Sequence, residues 1–171
     1  MPKWTCVPLG TRLVLFVEAE GEVLRRAWFA KREDDMPPGW QAEDRDDTLP
    51  VLIEARRQLR EYVAGRLRHF TVPFRLDGTE FQQQVWQQLT EIPCGEVRSY
   101  ASVAQAIGRP NAVRAVGAAN GSNPLPVFVP CHRVIGSNGS LTGFSAGLEV
   151  KRALLALEGA PVQQGLPLGE E

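Results

Sequence analysis

The chain has 171 residues, 43% of them hydrophobic and 23% charged, with 19 basic against 20 acidic side chains. That length accommodates one compact domain or two small ones, and a formal charge of −1 excludes a globally basic protein that coats nucleic acid by charge alone, though not a local basic patch. No apolar run reaches the roughly 18 residues of a membrane helix, residues 1–10 lack a signal pattern, and three cysteines make no disulfide framework. The expectation is a reduced, cytoplasmic protein whose cysteines act as thiols.

Residues 13–17 and 23–29 are rich in strand-forming side chains and flank a polar stretch with Gly21, the pattern of a β-hairpin. Residues 33–47 hold seven acids against Arg45, together with Pro37, Pro38 and Gly39, which reads as a solvated loop. Thr48 is placed to cap a helix with Pro50 in its first turn, and Leu52, Ala55, Leu59 and Val63 recur behind it at helical spacing. Residues 56–75 carry six arginines against Glu61, the composition of a surface helix with a basic face. Residues 70–76, with Pro73 inside, form an edge strand or extended connector, and Asp77-Gly78 marks the turn at the domain boundary.

Thr79 and Gln82 fit a capping box, with Phe81, Val85, Trp86 and Leu89 as the apolar stripe behind it. Ser99 caps a helix over residues 100–107 that Gly108 ends, and Pro110 opens a second over 111–120. Two short helices joined by Gly-Arg-Pro make a helix-turn-helix candidate, although such pairs also serve simply as core. Residues 125–129 are apolar and lie between prolines, which predicts a buried strand that Pro130 stops. Residues 161–171 read as a disordered tail.

Pro130 delivers Cys131 next to His132 and Arg133. A thiol becomes a good nucleophile only as the thiolate, and a neighbouring imidazole or cation lowers the cost of that charge. The alternative is a buried, inert cysteine, which needs neither a histidine nor an arginine beside it.

Pro130-Cys131-His132-Arg133-Val134 resembles the active-site motif of the methylated-DNA–protein-cysteine methyltransferases, the alkylguanine-DNA alkyltransferases of direct DNA repair. The likeness extends to Arg114-Ala115-Val116-Gly117, Asn123-Pro124, the glycine-rich residues 136–147 and Lys151-Arg152, and covers roughly residues 78–159. It implies an α/β protein with a ribonuclease-H-like α/β domain at 1–78. A mostly helical, winged-helix-like domain at 79–160 would carry the helix-turn-helix and the active-site cysteine.

The resemblance also assigns roles. Cys131 accepts the alkyl group from O6 of guanine, and by extension from O4-alkylthymine, in a single irreversible turnover without a cofactor. His132 takes the thiol proton through a water, and Glu158 orients that histidine. Asn123 bridges the helix-turn-helix to the active-site strand. Tyr100 sits beside the flipped nucleotide, rotates its phosphate and assists proton transfer. Arg114 enters the base stack, and the slim helix bearing Ala112, Ala115, Ala118 and Ala119 enters the minor groove, while Arg98 and Arg109 are left to meet phosphates. Alanine richness alone would mean no more than helix propensity. Val134, Phe144, Ser145 and Ala146 line the substrate pocket. Phe144 replaces a frequent tyrosine and so lacks a hydroxyl, and Ala146 replaces a frequent glycine, which tightens the pocket against bulky adducts.

The implied partner is double-stranded DNA bearing O6-alkylguanine, met by a monomer with no membrane involved. A structural zinc is not expected, because Cys6 and His69 are only two soft ligands where a closed site needs four. Three other functions compete. An alkyltransferase-like lesion-binding protein would have replaced Cys131, usually by tryptophan. A sequence-reading regulator would need base-edge readers that the alanine-rich helix does not offer. A Cys-His hydrolase would need an oxyanion loop.

Overall fold

The computed structural model describes residues 1–161; the expected tail at 161–171 lies, apart from Pro161, outside the described residues. The chain divides into two compact units, Met1–Leu76 with Pro124–Pro126, and Asp77–Asn123 with the chain from Val127 onward. The division falls at Leu76/Asp77 rather than after Gly78.

The first unit is built on an antiparallel sheet in the order β1 (Lys3–Pro8), β2 (Val14–Glu20), β3 (Val23–Ala30). The hairpin read from the sequence is β2–β3, whereas β1 was not legible. Pro2 and Pro8 punctuate it, and Lys3 and Thr5 interrupt its apolar run. It forms because both faces of the sheet are covered. Thr5 and Val7 pair with Val17 and Leu15 on one face, against which α1 (Pro50–Val63) packs with Leu52, Ala55 and Leu59 buried. On the other face Trp4, Cys6, Val14 and Phe16 cluster with Trp40. The Trp4, Phe16 and Trp40 ring centroids lie 5.4–6.2 Å apart, and the Arg26 guanidinium stacks 5.3 Å from the Trp40 ring.

Two expectations are corrected here. The acidic segment is more than a solvated loop: Asp47 accepts the Thr5 hydroxyl at 2.6 Å, and the Asp46 amide donates to the Trp4 carbonyl at 2.9 Å. Thr48 does not cap α1; its amide and hydroxyl both donate to Asp46 Oδ1, so the cap position falls to Leu49, whose side chain accepts nothing. Pro50 at the helix start supplies the preset φ instead. Residues 70–76 form a connector beside β3, with the Leu24 amide donating to the Pro73 carbonyl and the Arg75 amide to the Leu24 carbonyl. The Ala27 amide, further along β3, donates to the Pro124 carbonyl at 2.9 Å.

The second unit opens with α2 (Glu80–Thr90), and the capping box forms as read: Thr79 Oγ1 accepts the Gln82 amide, and Gln82 Oε1 accepts the Thr79 amide. Gly78 is needed there because a Cβ would lie 2.6 Å from the Trp86 ring. Ser99 caps α3 (Tyr100–Ala106). Helix α4 (Val113–Gly121) starts later than the proline predicts, since residues 109–112 close a turn in which the Ala112 amide donates to the Arg109 carbonyl. Trp86 Nε1 donates to the Ala119 carbonyl at 2.9 Å and fixes the end of α4 against α2. Residues 125–129 are buried but are no strand, because Val127 sits at φ +76° and turns the chain. The short strands β4 (Arg98–Ser99) and β5 (Val134–Ile135) pair in parallel, and α5 (Leu148–Glu158) ends at Gly159 in the left-handed conformation. Among the described residues, no helix is long and apolar enough to cross a membrane.

Candidate active site

The turn at Val127 and the break at Pro130 lead into a single 3-10 turn over Cys131–Arg133. This turn resolves a geometric problem of the sequence: neighbouring residues on a strand would point to opposite faces. Cys131 is held at both backbone polar groups. Its amide donates to the Val129 carbonyl at 2.8 Å, and its carbonyl accepts from the Val134 amide and from Asn120 Nδ2 at 3.3 Å. Asn123 Nδ2 donates to the Val129 carbonyl at 2.8 Å, and its side chain also hydrogen-bonds the Cys131 thiol.

His132, which is fully buried, places Nε2 2.7 Å from Glu158 Oε2. A carboxylate there fixes the tautomer with the proton on Nε2, so Nδ1 is left as a lone pair. Nδ1 is buried and has no hydrogen-bond partner among the described residues. Burial pulls the imidazole pKa down, the Glu158 hydrogen bond and charge act in the opposite direction, and the Arg133 and Lys151 charges lower it again. The net direction keeps the ring neutral and able to accept a proton. Arg133 grips the same carboxylate bidentately, Nε to Oε1 at 2.9 Å and Nη2 to Oε2 at 3.0 Å, and its Nη1 donates to the Ile92 carbonyl at 2.6 Å. Glu158 thus answers two buried partners at once.

The thiol departs from expectation. Burial pushes Cys131 up to about 11, and the Asn123 hydrogen bond and the Lys151 charge offset only part of that. The neighbouring imidazole and guanidinium do not make a resting thiolate, because both face Glu158 and the thiol is buried. The reacting thiolate is therefore formed only as its proton leaves. The ultraviolet thiolate absorbance that separates the protein from its Cys131→Ser variant should accordingly be absent at pH 9, where an ordinary solvated thiol is about half ionised or more. A difference signal already present at pH 7–8 would contradict this assignment.

Two residues of the site were given no role by the sequence. Lys151 is completely buried; its Nζ donates to the Val134 carbonyl at 2.7 Å and the Thr142 carbonyl at 2.9 Å, and lies 5.9 Å from the Tyr100 ring. Burial lowers its pKa to about 8. The signal was available, since Lys151, Leu154, Leu155 and Glu158 recur at the spacing of one helical face, and that whole face is buried. Asn120 is the second; it lies three residues before the Asn123-Pro124 motif and outside it.

The remaining predicted residues fall as follows. The Tyr100 hydroxyl donates to the Thr142 carbonyl at 3.2 Å. On α4, Val113, Arg114, Ala115 and Ala118 are exposed, Ala112 is half-buried at the cap, and Ala119 is buried against α2, so Ala119 is not on the exposed face of this helix. Arg98 pairs with Glu96 at 3.0 Å, and Arg109 stacks on the Phe81 ring at 5.8 Å. Val134 is buried beneath Lys151, whereas Phe144 and Ala146 are half-buried and Ser145 exposed in the loop before α5.

A mixed α/β chain with a buried thiol beside an ordered imidazole–carboxylate pair defines a protein of nucleophilic cysteine chemistry. Residues 80–160 match the family described as 6-O-methylguanine DNA methyltransferase, DNA binding domain. The chain is 44% identical to the methylated-DNA–protein-cysteine methyltransferase of Methanosarcina acetivorans, covering 90% of this chain and 94% of that one. It is 48% identical to the constitutive enzyme of that name from Bacillus subtilis, covering 88% and 90%. In structure it resembles the O6-methylguanine methyltransferase of Mycobacterium tuberculosis, with a TM-score of 0.78, 42% identity and coverage of 95% and 97%. A Mycobacterium tuberculosis relative solved in complex with DNA matches with a TM-score of 0.76 and 43% identity over 94% of each chain. The chain belongs to the methylated-DNA–protein-cysteine methyltransferase family.

Proposed function

We propose that this protein repairs alkylated duplex DNA directly, taking the alkyl group from O6 of guanine, and from O4-alkylthymine, onto Cys131 in one irreversible turnover. The observation that carries the reading is the buried His132 with its Nε2 on Glu158 and its Nδ1 without a hydrogen-bond partner among the described residues, one residue from a buried thiol. The thiol proton leaves through a water to Nδ1, and Sγ attacks the alkyl carbon. The new S–C bond replaces the C–O6 bond, whose electrons stay on the guanine, which takes a proton with the help of the Tyr100 hydroxyl. The substrate nucleotide reaches the thiol flipped out of the stack. The exposed α4 face with Val113, Arg114, Ala115 and Ala118 supports minor-groove entry, with small side chains for close approach and Arg114 to fill the gap. The protein acts as a monomer in the cytoplasm, with Arg98 and Arg109 meeting phosphates.

Incubation with duplex carrying O6-methylguanine labelled in the methyl group, followed by peptide mass spectrometry, tests the reading. The expected result is one methyl on the Cys131 peptide and none on Cys6 or Cys94. DNA bound but left unchanged would instead indicate a lesion-binding protein, and a methyl on Cys94 alone would sink the assignment of the nucleophile.

A further inference from the structure

Two asparagines reach the nucleophile's turn, Asn120 from α4 and Asn123 from the chain just past its cap, and only Asn123 belongs to the motif that carries the resemblance. Asn120, in the last turn of α4, is 4% exposed. Its Nδ2 donates to the Cys131 carbonyl at 3.3 Å, while its Oδ1 is buried with no hydrogen-bond partner among the described residues. A half-satisfied buried amide is a poor way to stabilise a core, since an apolar side chain of the same shape would leave no acceptor stranded. The Cys131 carbonyl does not need the amide for its own satisfaction either, because the Val134 amide already donates to it.

What Asn120 adds is position. Val129 and Cys131 flank Pro130, and the carbonyl of each is held from the C-terminal end of α4: that of Cys131 by Asn120 within the helix, that of Val129 at 2.8 Å by Asn123, just past its cap. The end of α4 is itself immobilised by Trp86 on the Ala119 carbonyl. The peptide plane bearing the nucleophile is therefore referenced to α4, the helix whose other side carries the exposed Arg114.

We propose that Asn120 is a positioning residue for alkyl transfer, aiming the Cys131 thiol by holding the Cys131 carbonyl against α4. The proposal rests on the alkyl-transfer reading above. It makes the attack angle of the thiol depend on the placement of the helix that engages DNA, so a small error in that reference slows the reaction without weakening binding.

Single-turnover transfer from labelled methylated duplex, unmodified-duplex affinity and melting temperature are compared for the wild type, Asn120→Leu and Asn120→Asp. Asn120→Leu should transfer about 10–100-fold more slowly, with DNA affinity unchanged and melting temperature equal or higher. Asn120→Asp presents an acceptor to the Cys131 carbonyl when ionised and regains a donor when protonated. Its rate should therefore rise relative to wild type as pH falls from 8 to 6, a rescue that a packing defect would not produce. Transfer by Asn120→Leu within twofold of wild type overturns the proposal. So does a rate loss that merely tracks lost stability or DNA affinity, or an Asn120→Asp profile parallel to wild type. A wild type that takes up no label defeats the functional reading instead, and the two failures are distinguishable.

Discussion

Glu158→Gln should slow methyl transfer by about 10²–10⁴-fold, the range over which a positioned general base contributes. The carboxylate serves two cations or donors simultaneously: His132 Nε2 at 2.7 Å, and Arg133 through Nε and Nη2. An amide cannot satisfy both. If its oxygen accepts from the imidazole, its NH2 faces the guanidinium; if it turns over, the histidine tautomer is no longer fixed and Nδ1 loses its lone pair for part of the population. The same substitution strands the buried Arg133 charge, and breaking a buried pair in this way costs about 3–5 kcal/mol. Denaturant unfolding and single-turnover label transfer, measured on one preparation, separate the effects. A rate falling only in proportion to the unfolded fraction would leave Glu158 as a purely structural anchor for Arg133.

Arg114→Ala should slow repair of paired duplex by about 10–100-fold while leaving transfer from the free alkylated base nearly unchanged, because unstacking a nucleotide costs a few kcal/mol and the free base has none to unstack. Arg114 lies at the second residue of α4 and is exposed, whereas His132, Glu158 and Lys151 are buried. Equal slowing on both substrates would move Arg114 from base extrusion into the chemistry.

Local chemistry was the readable part of this sequence. The Thr79–Gln82 box, the Ser99 cap and Gly108 each act over three or four residues, and each formed where it was read. Features decided by distant partners were not readable. Strand β1 exists because α1 and Trp40 cover its two faces, and Val127 adopts a left-handed turn that its β-branched side chain argues against; Thr48 is the local exception, drawn from its cap by Asp46 two residues away. The site shows the same divide. The Cys131-His132 adjacency was plain, and Glu158 came from family likeness rather than spacing. The rise of the thiol to about 11 depends on a burial that no local pattern announces, and the carbonyl grips of Asn120 and Lys151 are tertiary contacts.

Pro124–Pro126 bears on how such a protein can be recombined. These three residues belong to the first unit although the chain on either side of them belongs to the second. The Pro124 carbonyl meets the Ala27 amide of β3, a strand at the margin of its sheet. Neither half is therefore a self-contained cassette. A gene fragment ending at Leu76 encodes a sheet that lacks one of its own acceptors and presents a bare edge amide, the kind of feature that recruits strands from other molecules. A chimera that exchanges the N-terminal half must graft the tripeptide as well, so inheritance of the two halves is interlocked at the segment leading to the reactive cysteine.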